Sequence, residues 1–270
     1  MRFAICNELF GECEFEEVCR AASEAGYTGV EIAPFTLGRS PSEISKQARE
    51  QFRKTADRFG LQIVGLHWLL AKTEGFHVNH PDEQVRSRTV AYLNELAELC
   101  ADLGGTVMVF GSPQQRSIVE GLDFDTAWTY ALDTFRRIVP TIEKLGLVFC
   151  LEPLAPEETN FINTADEAAA MIEQVASENF RLLLDVKAMS SESTPIPEII
   201  RKHGSLLRHF HANDANKRGP GFGSTDFRPI AAALKSIGYS GWISVEVFDF
   251  SPDPITIANQ SIAYLKGVFE

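Results

Sequence analysis

Cysteine is scarce in this 270-residue chain, and the few present form no pattern. The five, Cys6, Cys13, Cys19, Cys100 and Cys150, are odd in number and include no C-x-x-C pair. That excludes a disulfide scaffold and reads as small hydrophobes in a reducing compartment. Positive charge is also short, with 25 Lys and Arg against 37 Asp and Glu and a formal net charge of −12. Nucleic-acid binders rest on a basic footprint, so this balance argues against that class and leaves small molecules as the default partners. No apolar run approaches ~18 residues, so no membrane span is expected. The opening MRFAICNELF lacks the charged-then-apolar build of a signal peptide, and a cytoplasmic location is the expectation. Linkers, low-complexity tracts and sequence repeats are missing too.

What remains is an alternation. Short apolar or β-branched runs occur at 2–8, 29–33, 61–67, 106–111, 147–152, 181–186, 208–212 and 242–247. Longer segments of helical period separate them, which implies right-handed crossovers and a parallel sheet. Eight such units, 44 % hydrophobic content and this length predict one (β/α)8 TIM barrel spanning residues 1–270. Ser40-Pro41 reads as an N-cap with proline at the first helical position, and Thr164 with Glu167 as a capping box. Gly60, Gly104, Gly146 and Gly238 stand where helices end. Pro140 predicts a kink or break inside the fourth helix. The longer loops, 68–80, 111–122, 153–163 and 213–225, all follow strands, at the end where barrel active sites are built.

The last four runs each end in a residue able to bind a divalent cation: Glu152, Asp185, His211 and Glu246. Spacings of 33, 26 and 35 residues are each about one strand–helix unit, so the four fall on successive strands. Strand parity places Glu152 with Cys150 and Val148, Asp185 with Leu183, Glu246 with Ser244, and His211 with His209. If those faces point into the barrel, each strand ends inward on a polar group, and a cation is the simplest neutraliser. Any one of these residues alone could cap a strand or pair with an opposite charge, but all four at matching strand ends point to a metal site. Three carboxylates and an imidazole favour manganese(II), then cobalt(II) or magnesium, with zinc also admitted and calcium less so. Such an ion would polarise a carbonyl and favour loss of a proton from the carbon beside it.

LEPLAPEETNFINT, LLLDV, HFHAND with PGFGSTDF, and GYSGWISVEVF resemble the xylose-isomerase-like barrel superfamily, in its sugar isomerase and ketose 3-epimerase branch. The resemblance covers essentially the whole chain. It implies that Glu152, Asp185, His211 and Glu246 hold the metal. It also implies that Glu152 and Glu246 exchange a proton beside the carbonyl of a sugar, through a cis-enediolate. Glu158 matches a glutamate that binds the substrate end near the carbonyl, although a loop glutamate also reads as a solvated charge. His67, ending strand three, reads as a metal or substrate contact or as a core histidine. Glu31 would hydrogen-bond His67 or the sugar. Trp68 and Phe248 read as an apolar wall for the sugar or as rim packing. Members of this branch are often dimers or tetramers, so a homo-oligomer is implied.

Two departures stand out. The branch carries D-x-x-H on strand six, but this chain reads DVKA, with Ala188 in place of the histidine and Lys187 added. Where the branch sets an arginine after strand seven, Lys217 and Arg218 both stand, as candidates for an acidic sugar group or as surface charges. A lyase acting on 3-keto-glycosides would use the same metal and base. An apurinic endonuclease would need histidines that strands four and six lack, and a non-catalytic barrel would bind metal without turnover.

Overall fold

The computed structural model describes residues 1–270. Eight parallel strands close into a barrel in sequence order. They are β1 (Arg2–Cys6), β2 (Gly29–Ile32), β3 (Gln62–Leu66), β4 (Val107–Phe110), β5 (Val148–Leu151), β6 (Phe180–Asp185), β7 (Leu207–Ala212) and β8 (Trp242–Val245). The helices are α1 (Phe15–Ala25), α2 (Lys46–Arg58), α3 (Glu83–Asp102), α4 (Phe124–Leu145), α5 (Ala165–Val175), α6 (Val186–Met189), α7 (Ile196–His203), α8 (Phe227–Ser236) and α9 (Pro254–Phe269). No helix is long and apolar enough to cross a membrane.

Local chemistry sets the helix ends. Asp82, Asp123, Asp226 and Asp253 each accept a backbone N–H at the start of α3, α4, α8 and α9. Thr164 and Glu167 form the capping box of α5. Gly60, Gly104, Gly146 and Gly238 lie in the left-handed region just past α2, α3, α4 and α8. Two local expectations change. Ser40-Pro41 opens only a 3-10 turn, Pro41–Glu43, and α2 starts at Lys46 under a cap from Ser45. Helix α4 runs through Pro140 without a break, because that residue is exposed and the carbonyl of Arg136 that it leaves unpaired can be hydrated.

The main core, 64 buried residues, lies between the sheet and the helices. Inside the barrel only seven apolar side chains cluster: Ala4, Val64, Val107, Val109, Cys150, Leu183 and Trp242. They plug the N-terminal half, where the Trp242 ring stands over Gly29 and any Cβ there would meet it at 2.7 Å. Cys150 and Leu183 confirm the inward faces of β5 and β6. The upper half of the interior is therefore polar, holding Glu31, His209, His211 and Ser244 at 0 % exposure.

Strands β3 and β4 approach closely at Gly65, where an added Cβ would sit 1.8 Å from the carbonyl oxygen of Val107. Gly65→Ala should lower stability by about 3 kcal/mol through forced separation of these strands. Urea unfolding of the variant against wild type measures it.

Candidate metal centre

Three carboxylates and a histidine converge at the C-terminal mouth of the barrel. Glu152 follows β5, Asp185 ends β6, His211 lies in β7 and Glu246 follows β8. One donor atom from each lies within 4.8 Å of every other, and all four residues are buried. The strand ladders bring them together, since Asp185 pairs with His211, and His211 with Ser244, two residues before Glu246. A cavity of about 300 Å³ opens over Glu152 and Glu246, bordered by Glu158, Trp68 and Phe248.

The residues behind the four donors suit a cation. The Nε2 of His211 lies 3.2 Å from Glu31 Oε1, while its Nδ1 lies 3.0 Å from Glu246 Oε2. A cation would replace the proton on Nδ1 while Nε2–H stays on Glu31, the arrangement of a carboxylate-backed histidine ligand. Asp185 accepts from Ala188 N at 2.8 Å and from the side chain of Asn213, so its carboxylate is oriented from two sides. Trp68 Nε1 donates to Glu246 Oε1 at 2.7 Å. Gly111 cradles Glu152, because a Cβ there would lie 2.2 Å from its Oε2.

Electrostatics carry the same message. Burial, then the charge of Glu246, pushes the Glu152 carboxyl well above its ordinary pKa. Burial pushes Asp185 up to about 6, with Lys187 opposing and Glu246 adding to it. Burial would raise Glu246 as well, but the charge and hydrogen bond of His211 outweigh it and hold it low. Burial opposes charge on His211, yet Glu246 and Glu31 raise it well above the usual histidine range. Negative charge is in surplus here, and a divalent cation held by these oxygen and nitrogen donors would offset it.

The other residues singled out from the sequence take distinct places. Glu31 is fully buried and faces His209 at 2.8 Å and His211, rather than hydrogen-bonding His67. His67 pairs with Glu8 through Nε2 at 2.7 Å. Trp68 borders the cavity and stacks on Phe248 with ring centroids 6.0 Å apart. Its backbone is left-handed at φ 50, a conformation that a tryptophan keeps only when its neighbours hold it. Glu158 borders the cavity and takes the Lys187 ammonium on Oε1 at 2.6 Å, and that ammonium also lies 4.0 Å from the Phe248 ring centroid. Lys187 thus places a buried cation near Ala188, where the resemblance expected a histidine. Lys217 is exposed, at φ 70, and its backbone oxygen accepts from Phe248 and Asp249. Arg218 pairs with Asp249 at 3.0 Å.

Sequence reading passed over four contributors. Glu8 and Asn213 continue the inward parity of β1 and β7, so that signal was available. Gly111 sits at the end of β4, level with the ligands. Arg116 had no local signal. It is 1 % exposed, and its guanidinium donates to the carbonyls of Glu152 at 2.6 Å and Phe110 at 2.7 Å, tying the ends of β5 and β4 together.

Two substitutions test this build. Glu31→Gln removes the charge behind His211 and should weaken manganese binding about 10- to 100-fold while the barrel stays folded. Gly111→Ala should displace the Glu152 carboxylate and lower affinity at least about tenfold. Titration calorimetry with manganese, beside circular dichroism, reads both.

The family described as xylose isomerase-like TIM barrel matches residues 19–268. The D-psicose 3-epimerase of Ruminiclostridium cellulolyticum is 29 % identical over 177 residues, a match that spans 64 % of this chain and 59 % of that enzyme. The fructoselysine 3-epimerase of Escherichia coli O157:H7 is 22 % identical over 261 residues, 94 % of this chain and 93 % of its own length. A crystal structure of D-psicose 3-epimerase with D-tagatose from Clostridium cellulolyticum H10 superposes with a TM-score of 0.89 at 22 % identity, covering all of both chains. That likeness shows a shared fold. By the span of the family match and the closed eight-stranded sheet, the chain belongs to the xylose isomerase-like TIM barrel family.

Proposed function

We propose that this chain is a divalent-metal-dependent sugar isomerase or ketose 3-epimerase. The observation that carries the reading is the convergence of Glu152, Asp185, His211 and Glu246 within 4.8 Å at the barrel mouth. The similarity to enzymes named D-psicose 3-epimerase and fructoselysine 3-epimerase supports a ketose as substrate. Manganese is the favoured ion on donor chemistry, with cobalt, magnesium or zinc as alternatives. When bound, it would supply Lewis-acid polarisation of the sugar carbonyl, which acidifies the neighbouring C–H.

The protein's own groups then move the proton. Glu152 and Glu246 both border the 300 Å³ cavity, so a sugar seated there meets a carboxylate from strand five and one from strand eight. One, ionised, takes the proton from carbon, and the other, protonated beforehand, donates its own proton to the opposite face, which inverts that centre; exchange with solvent then restores both carboxyls. Return to the neighbouring carbon by a single carboxylate would instead interconvert aldose and ketose. Trp68 holds Glu246 through its indole N–H and joins Phe248 as an apolar wall against the sugar's C–H face. The Glu158 carboxylate, tied to the Lys187 ammonium, offers an acceptor for a sugar hydroxyl. Elimination from a 3-keto-glycoside begins with the same proton abstraction, and its product identifies it.

Glu152→Gln and Glu246→Gln should each reduce turnover at least about a thousandfold with the fold intact, because proton transfer stops. Asp185→Asn should weaken manganese affinity before it affects anything else. A panel of ketoses and keto-glycosides in deuterated water with manganese should show label entering one carbon beside the carbonyl. Absence of label in every sugar, or full turnover by either glutamine variant, would overturn the assignment.

A further inference from the structure

One buried charge at the metal centre has no part in the proton transfer described above. Lys187 is 8 % exposed, two residues beyond Asp185, and a lysine is rarely buried to this degree unless its charge is paired. Its ammonium donates to Glu158 Oε1 at 2.6 Å and lies 4.0 Å from the centroid of the Phe248 ring. One head group thus makes an ion pair and a cation–π contact, both to residues that border the cavity over Glu152 and Glu246.

The lysine is tied at both ends. Its backbone N–H donates to Asn213 Oδ1 at 2.7 Å, and the Asn213 amide donates in turn to Asp185 Oδ2. Glu158 is held at its second oxygen as well, where Oε2 accepts from the backbone N–H of Ala155 at 3.3 Å. An unbroken polar chain therefore runs from Asp185 on β6, through Asn213 and Lys187, to Glu158 on the loop after β5. Glu158 needs such a tie, because its side chain is 27 % exposed and an untied glutamate loses rotamer freedom only when a ligand orders it. With both oxygens engaged that freedom is gone beforehand, and the carboxylate still has lone pairs for an incoming hydroxyl.

We infer that Lys187 is a positioning residue for the substrate: it fixes the Glu158 carboxylate relative to the metal ligands, so that Glu158 selects one sugar hydroxyl at a set place from the carbonyl. The inference rests on the sugar chemistry proposed for the metal centre, and deepens it by making one hydroxyl a requirement for binding. Lys187 acts through Glu158 and moves no proton, so its loss is felt in binding rather than in turnover of the bound sugar.

The test compares manganese-loaded wild type, Lys187→Met, Glu158→Gln and the double variant. The probe is the ketose of the panel above that wild type binds most tightly, together with its monodeoxy forms, read by titration calorimetry and deuterium uptake. Lys187→Met should raise Kd and KM about tenfold with kcat held within about twofold, the pattern of lost uniform binding. The double variant should bind no more weakly than the weaker single variant, because both changes remove one interaction. One monodeoxy form should bind wild type about tenfold more weakly than the parent sugar, and that penalty should vanish in both single variants. Manganese should bind Lys187→Met at least as tightly as wild type, since a positive charge beside Asp185 is gone. Lys187→Gln, which keeps a donor without the charge, is the companion variant and should lose less than Lys187→Met. A crystal structure of manganese-loaded Lys187→Met, with no sugar, should show the Glu158 carboxylate turned from its wild-type place. Additive losses, weaker manganese binding in Lys187→Met, or an unmoved Glu158 overturns the positioning role. A displaced Glu158 in a protein that binds and labels no sugar would leave the tie standing and overturn the proposed catalysis instead.

Discussion

Everything at the mouth of this barrel follows from crowding negative charge into a dry space. Glu152, Asp185 and Glu246 converge with His211, and Glu31 stands directly behind the histidine. Water that would screen such charges is excluded, so each carboxylate responds to its neighbours: Glu152 and Asp185 are pushed upward by burial, while His211 is drawn to hold a proton. Lys187 and the His67–Glu8 pair answer part of this charge. A divalent ion would answer the remainder, and the contact of His211 with Glu31 leaves its other nitrogen turned toward Glu246.

The barrel interior is divided to make this affordable. Its lower half is closed by seven apolar side chains with Trp242 as the plug, and its upper half is almost wholly polar. Stability comes from elsewhere, from the 64-residue layer between strands and helices. The interior is thereby released from packing duty and can carry groups that a conventional core would reject. Arg116 shows the same logic at the rim: a buried guanidinium spends its donors on two backbone carbonyls, which holds the ends of β4 and β5 level with the ligands.

Around that centre the protein is asymmetric. Backbone bonds and paired charges brace the side of strands four to seven, through Arg116, Asn213 and the Lys187–Glu158 pair. The side of strands eight, one, two and three is lined by aromatic rings, with Trp68 held in a left-handed backbone conformation among them. Braced carboxylates thus stand on one flank of the mouth and an aromatic face on the other.

The sequence by itself determined the architecture and the four metal-ligand candidates. Both are written in local chemistry: a twofold period in strands, a 3.6-residue period in helices, aspartates and glycines at helix ends, and chelating residues at strand ends one unit apart. Only the tertiary structure decided what stands behind and beside them. Nothing local to Glu31 says that it faces His211 across 180 positions, or that Trp68 reaches Glu246 across 178. Arg116 lies in a loop whose composition reads as surface, yet it is buried because the carbonyls it serves belong to two different strands. Pro140 leaves its helix intact because the position faces solvent, which depends on how α4 lies on the barrel. Periodicity and end signals act between near neighbours in the chain, whereas the partners of a buried charge are chosen by closure of the barrel, which brings strand one beside strand eight.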